Sequence, residues 1–79
     1  MDKKVAVYST PTCPFCIRAK QFLSENNVVF TDIDVSKDEG KVEEMIEKSG
    51  QMGVPVIDVD GQIIVGFDKE KIRSVLGLQ

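Results

Sequence analysis

The chain contains no histidine and no tryptophan, and only two cysteines, three prolines and one tyrosine. A structural zinc site needs four ligands, usually Cys or His, so one copy of this chain cannot close one. A zinc or iron–sulfur centre would have to be shared between two chains. No apolar run approaches the roughly 20 residues of a membrane-spanning helix. The opening stretch MDKKVAVYS has two lysines, but no long apolar segment or small-residue cleavage site follows them. No secretory signal is therefore expected, and the expected location is the cytoplasm, where thiols are kept reduced. A basic stripe, the footprint of nucleic-acid binding, is also missing. Net charge is −3. The acids concentrate between Glu25 and Glu47, which reads as a solvated face.

What is present fits one small folded domain spanning 1–79. Hydrophobic residues make up 42 % and charged residues 29 %, a balance that argues against disorder. Val5 to Tyr8, VAVY, is a short β-branched run that predicts a buried strand. A helical pattern starts at Cys13, with Pro14 at the first helical position, where a missing N–H costs nothing. Cys16, Ala19 and Leu23 form one stripe, Phe15, Ala19 and Phe22 an adjoining one, and Asn26-Asn27 a stop. Val28 to Val35, VVFTDIDV, is expected to be a second strand. Ser36, three residues before Glu39, has the spacing of a capping box for a second helix. Val42, Met45, Ile46 and Ser49 would form that helix's inner face, and Gly50 would end it.

Two apolar runs, Val54 to Val59 and Gln62 to Phe67, flank Asp60-Gly61, a strong hairpin signal. Asp68 can cap a last helix with Ile72, Val75 and Leu76 on its inner stripe. The expected order is βαβαββα, an α/β arrangement whose first three elements make a right-handed βαβ unit. No linker, repeat or low-complexity segment interrupts it.

Both cysteines lie in STPTCPFCIRAK, between the first predicted strand and helix. A structural disulfide between Cys13 and Cys16 would close too small a loop to constrain the unfolded chain much. A redox role has a mechanism. Backbone N–H groups at a helix N-terminus stabilise an anion, and the thiolate is the nucleophilic form of cysteine. Cys13, nearer the exposed end, would attack a disulfide. Cys16, one turn further in, would resolve the mixed disulfide. Pro14 stiffens the turn and leaves the N–H groups of Phe15 and Cys16 free for the Cys13 sulfur.

The segments TPTCPFCIRAKQFL, GVPVI and VGFD, in this order and spacing, resemble the glutaredoxins over nearly the whole chain. The resemblance implies a thioredoxin fold, with a four-stranded mixed sheet and helices on both faces. It implies reduction of protein disulfides and glutathione mixed disulfides, with glutathione as electron-donating substrate and no bound cofactor or metal. The implied partners are glutathione and disulfide-containing or glutathionylated proteins, with no nucleic acid or membrane, and the chain is expected to be a monomer. Carried onto this sequence, Cys13 is the nucleophile and Cys16 the resolving thiol, supported by Thr12, Pro14, Phe15 and Gly66. Val54 would pair its backbone with the cysteine part of glutathione, and Pro55 would follow a cis bond. Phe67 and Asp68 would hold the γ-glutamyl end, and Gln51 the glycine carboxylate.

The sequence departs from the family pattern at three places. Thr10 stands where many glutaredoxins have a lysine, so the glycine carboxylate would rely on Gln51, Lys20 or solvent. Phe15 replaces the usual tyrosine, and Val65-Gly66 the usual Gly-Gly pair. The Thr10 departure predicts weaker glutathione binding and a less depressed Cys13 pKa than in relatives with the lysine. Two alternatives stay in view. One is a redoxin reduced by thioredoxin reductase, although Pro14-Phe15 is not the usual pair there. The other is a binding module or iron–sulfur carrier, which Pro14 disfavours by filling the space beside Cys13.

Overall fold

In the computed structural model, which describes residues 4–78, the central strand β1 (Val5–Ser9) has opposite faces with separate cores. Val5, Val7 and Ser9 point one way, Ala6 and Tyr8 the other, because side chains alternate along a strand. β1 pairs in parallel with β2 (Thr31–Asp34) and antiparallel with β3 (Val56–Val59). β3 turns into β4 (Gln62–Val65), and the sheet order is β2-β1-β3-β4.

Helices α1 (Pro14–Glu25) and α3 (Lys69–Leu76) cover the Val7 face. Ala19, Phe22, Leu23 and Ile72 pack there against Val5, Val7, Ile57, Val59 and Ile64. Helix α2 (Glu39–Ser49) covers the other face, where Met45 packs with Tyr8, Val35 and Val56. The chain therefore forms a four-stranded mixed sheet with helices on both faces, in the order βαβαββα. No helix among the described residues is long and apolar enough to cross a membrane.

The punctuation follows from local chemistry. Asn27, at φ 59°, turns the chain out of α1, a conformation Asn tolerates better than most residues. Asp60 and Gly61 both have positive φ, as a two-residue hairpin of the right twist requires. The Asp58 carboxylate accepts from the Gly61 N–H at 2.8 Å and seals that turn. Gly50 ends α2 in the left-handed region.

Three expected boundaries move. The second strand spans only Thr31–Asp34, not Val28 to Val35. The Val28 N–H closes the end of α1 on the Leu23 carbonyl at 2.9 Å and is spent there rather than on the sheet. Ser36 is not the cap of α2. Asp38 caps it, accepting from the Gly40 and Lys41 N–H groups, while the Ser36 hydroxyl and N–H both bond Asp34. The helix starts at Glu39, so Glu39 sits too early to close a capping box with Ser36. The two apolar runs of the hairpin are also trimmed. β3 begins after Pro55, and β4 ends at Val65 before the turn at Gly66, whose φ is 80°.

Candidate active site

Cys13 is the N-cap of α1, with extended backbone angles (φ −89°, ψ 115°) that leave its side chain over the first turn. Its sulfur accepts from the Cys16 N–H at 3.4 Å, the bond that a Ser or Asp oxygen makes at an ordinary helix start. Pro14 occupies the first turn without wasting a donor. Cys13 is partly exposed, and Cys16 is completely buried one turn inside. Both are free thiols.

The surroundings push the two thiols apart. Burial raises the Cys13 pKa. Hydrogen bonds from the Cys16 thiol and from the Cys16 and Phe15 N–H groups, together with the Lys20 charge, outweigh it, so the Cys13 pKa lies below the ordinary cysteine value. The Cys16 thiol is pushed up to about 11, first by burial and then by its hydrogen bond to Cys13. A partly exposed thiolate former beside a buried protonated thiol is the division of labour that two-step thiol–disulfide exchange needs.

Two further segments meet this turn. The Cys13 sulfur lies 3.9 Å from the Val54 carbonyl oxygen, and the Val54–Pro55 bond is cis, as expected. The Pro55 carbonyl accepts from the Gly66 N–H at 2.8 Å. That bond joins the proline loop to the Gly66-Phe67-Asp68 turn, so the expected site residues on both segments stand on neighbouring backbone. The Phe67 ring packs edge-on against Phe22, with centroids 6.0 Å apart. Asp68 caps α3, accepting from the Lys71 N–H at 3.1 Å.

Three residues behave differently from expectation. Phe15, expected on an inner stripe with Ala19 and Phe22, is 56 % exposed beside Cys13, with the Arg18 guanidinium over its ring. The Gln51 amide is folded onto its own loop. It donates to the Gly53 carbonyl at 3.0 Å and accepts from the Gly53 N–H. Its two functional ends are thus engaged within the loop leading to Val54. Lys20 is held by Asp32 at 3.0 Å, and the Ser9 hydroxyl bonds the same carboxylate at 2.9 Å. The sequence offers Lys20 only as an alternative to Gln51 or solvent for the glycine carboxylate, with no place for it on Asp32 or beside the thiols. The available signal was its place seven residues after Cys13, on the same side of the helix. Among the described residues no three His, Cys, Asp or Glu side chains gather as a metal site would require.

The glutaredoxin family profile matches residues 5–64. The chain belongs to the glutaredoxin family. It is 47 % identical over 72 residues to an uncharacterized glutaredoxin-like 8.6 kDa protein in the rubredoxin operon of Clostridium pasteurianum, covering 91 % of this chain and 96 % of that one. It is 44 % identical over 64 residues to glutaredoxin 3 of Escherichia coli K12, covering 81 % and 77 % of the two chains. The glutaredoxin of Archaeoglobus fulgidus has a similar structure, with a TM-score of 0.88 at 28 % identity, covering 94 % and 86 % of the two chains. The matched region of this glutaredoxin includes β1, both cysteines and the Val54–Pro55 bond.

Proposed function

We propose that this glutaredoxin is a dithiol, glutathione-dependent thiol–disulfide oxidoreductase acting on protein disulfides and glutathione mixed disulfides. The observation that carries the reading is the Cys13 sulfur at the N-cap of α1, with its pKa lowered, beside a buried Cys16 that stays protonated. The Cys13 thiolate attacks one sulfur of a substrate disulfide. A bond forms from Cys13 to that sulfur, the substrate S–S bond breaks, and the departing thiolate takes a proton. Cys16 then loses its proton and attacks the Cys13 sulfur. The Cys13–Cys16 disulfide forms and the second substrate thiol leaves, so the dithiol has supplied two electrons. Two glutathione molecules return the pair to thiols and leave as glutathione disulfide. Glutathione is a consumed substrate here, with no resident cofactor.

Val54, beside the cis bond, would offer backbone groups to an incoming thiol peptide as an added strand does. Phe67 and Asp68 would take its γ-glutamyl end. The chain would work as a monomer in the cytoplasm.

A second reading, reduction by thioredoxin reductase, draws support from one observation. Thr10 offers no cation, and the Gln51 amide is spent on Gly53, so the glycine carboxylate has little to bind. The deciding experiment is the rate of reduction of the Cys13–Cys16 disulfide by glutathione and, separately, by thioredoxin reductase with NADPH. Fast reduction by glutathione supports the first reading. Fast reduction by the flavoenzyme alone replaces it with the second and removes Gln51, Phe67 and Asp68 as glutathione ligands.

A further inference from the structure

Ser9, Asp32 and Lys20 form a polar chain on the α1 side of the sheet, next to the reactive turn. Asp32 lies opposite Val7 in the β1–β2 register, so its side chain shares the face that carries Ser9 and α1. Its two carboxylate oxygens are divided, one accepting from the Ser9 hydroxyl and the other from the Lys20 ammonium. Ser9 is buried and immediately precedes Thr10. The Thr10 carbonyl accepts from the Cys13 N–H, and the Thr10 backbone also bonds the Cys16 thiol.

Cys13, Cys16 and Lys20 follow one stripe of α1, three and seven residues apart. Four residues rise about 6 Å along a helix axis, and long helical side chains lean back toward the N-terminus. Lys20 can therefore bring its charge back toward Cys16 and, beyond it, Cys13. The Lys20 side chain is only 23 % exposed, so solvent screens it less than a free surface lysine.

We propose that Lys20 is the positioning cation of this active site, and that Asp32, fastened by Ser9, sets how much of its charge reaches the thiols. The inference rests on Cys13 being the nucleophile and is independent of which reductant serves it. Behind burial and the hydrogen bonds of the turn, the Lys20 charge acts on both thiols in the lowering direction, although Cys16 as a whole stays raised, and this agrees with the placement. Asp34, two residues along the same face of β2, is the other carboxylate near Lys20, and it is already bonded by Ser36 with Lys37 close by.

The two partners must act with opposite signs. Lys20→Gln removes the cation and should raise the Cys13 pKa. Asp32→Asn removes the competing anion and should lower it. The double variant should return close to the wild-type value, and Lys20→Arg should keep it. Each single change is expected to shift the thiol ionisation constant about two- to fivefold, as partly exposed charges do. Higher salt should shrink both shifts.

The test is the pH profile of iodoacetamide alkylation at Cys13 in the intact reduced protein, followed by mass and accompanied by thermal melts. Opposite shifts that cancel in the double variant establish the proposal. Shifts of the same sign, or none in folded variants, overturn it and leave the ion pair a structural brace. If Lys20→Gln does not fold, Asp32→Asn decides alone, and an unchanged or raised Cys13 pKa in that variant overturns the proposal. No glutathione enters this measurement, so a failure of glutathione as reductant would leave its result standing.

Discussion

Tyr8 and Ser9 are neighbours on β1, and they open onto two polar networks built from the same parts. On the α2 side, the Lys48 ammonium donates to the Tyr8 hydroxyl at 2.9 Å and to Asp58 at 2.8 Å, while Tyr8 donates to Glu44. On the α1 side, Lys20 donates to Asp32, which the Ser9 hydroxyl also bonds. Each network joins a helix lysine, a carboxylate on a strand flanking β1, and a hydroxyl from β1. The difference is what lies next door. The Tyr8 network ties α2 to the sheet and touches no thiol. The Ser9 network adjoins Thr10, whose backbone bonds both cysteines. The same ion-pair chemistry is thus a brace on one side and an electrostatic setting on the other, decided by which face of one strand it occupies.

The largest expected contrast comes from the cysteines. Cys13→Ser should reduce disulfide exchange to background in a coupled NADPH assay. Cys16→Ser should still form a mixed disulfide with substrate and accumulate it, visible as an added mass on the intact protein. Tyr8→Phe, on the other side of the sheet, should leave the exchange rate within about twofold while lowering stability by about 1 kcal/mol.

The next contrast is in stability. Lys48→Met removes a donor from both Tyr8 and Asp58, whose side chain is 14 % exposed. Urea unfolding should lose about 1–2 kcal/mol, a value discounted because Lys48 is itself 37 % exposed. The pH dependence has two arms. Lys48 is raised above its ordinary value by its bonds to Asp58 and Tyr8, and Tyr8 is raised by burial and Glu44. Their stabilisation is complete below the unfolded-state values near pH 10 and is lost as pH rises through the folded ones. The Asp58 carboxylate, against the cost of its burial, is held below its ordinary value by Lys48 and the Gly61 N–H. Its stabilisation is present above the unfolded value near pH 4 and is lost as pH falls through the folded one. Urea midpoints measured from pH 3 to 11 should fall at both ends, and Lys48→Met should flatten the alkaline arm.

Smaller effects sharpen the α1 side. Thr10→Lys should lower the Cys13 pKa and the KM for glutathione, each by a few-fold, read from alkylation profiles and steady-state rates. A KM that does not move would mean that the glycine carboxylate is not bound near position 10. The smallest expected change is in Gln51→Ala. Opening the amide bridge to Gly53 should cost about 0.5–1 kcal/mol in a thermal melt and change the KM for glutathione less than Thr10→Lys does.

Much of this protein was written in local pattern. VAVY, the Cys-Pro-Phe-Cys turn, Asp60-Gly61 and the helix stops at Asn26-Asn27 and Gly50 each need only neighbouring residues to act. Their signals agree with the fold for that reason. The boundaries that moved depended on competition for a shared group. Val28 could be strand by composition, but its N–H was needed to close α1. Ser36 had the right spacing for a cap, but Asp34 and Asp38 were better placed for the two tasks.

By itself the sequence determined the element order, the reactive pair at a helix start and the family, because turn chemistry and side-chain periodicity act over a few residues. Only the tertiary structure decided where Lys20 and Phe15 would go. The bond that pins Lys20 crosses from α1 to β2, and Phe15 is left outside the core that Ala19 and Phe22 enter. Each outcome depends on which groups folding brings within hydrogen-bond or packing distance, and spacing along the chain does not specify that distance.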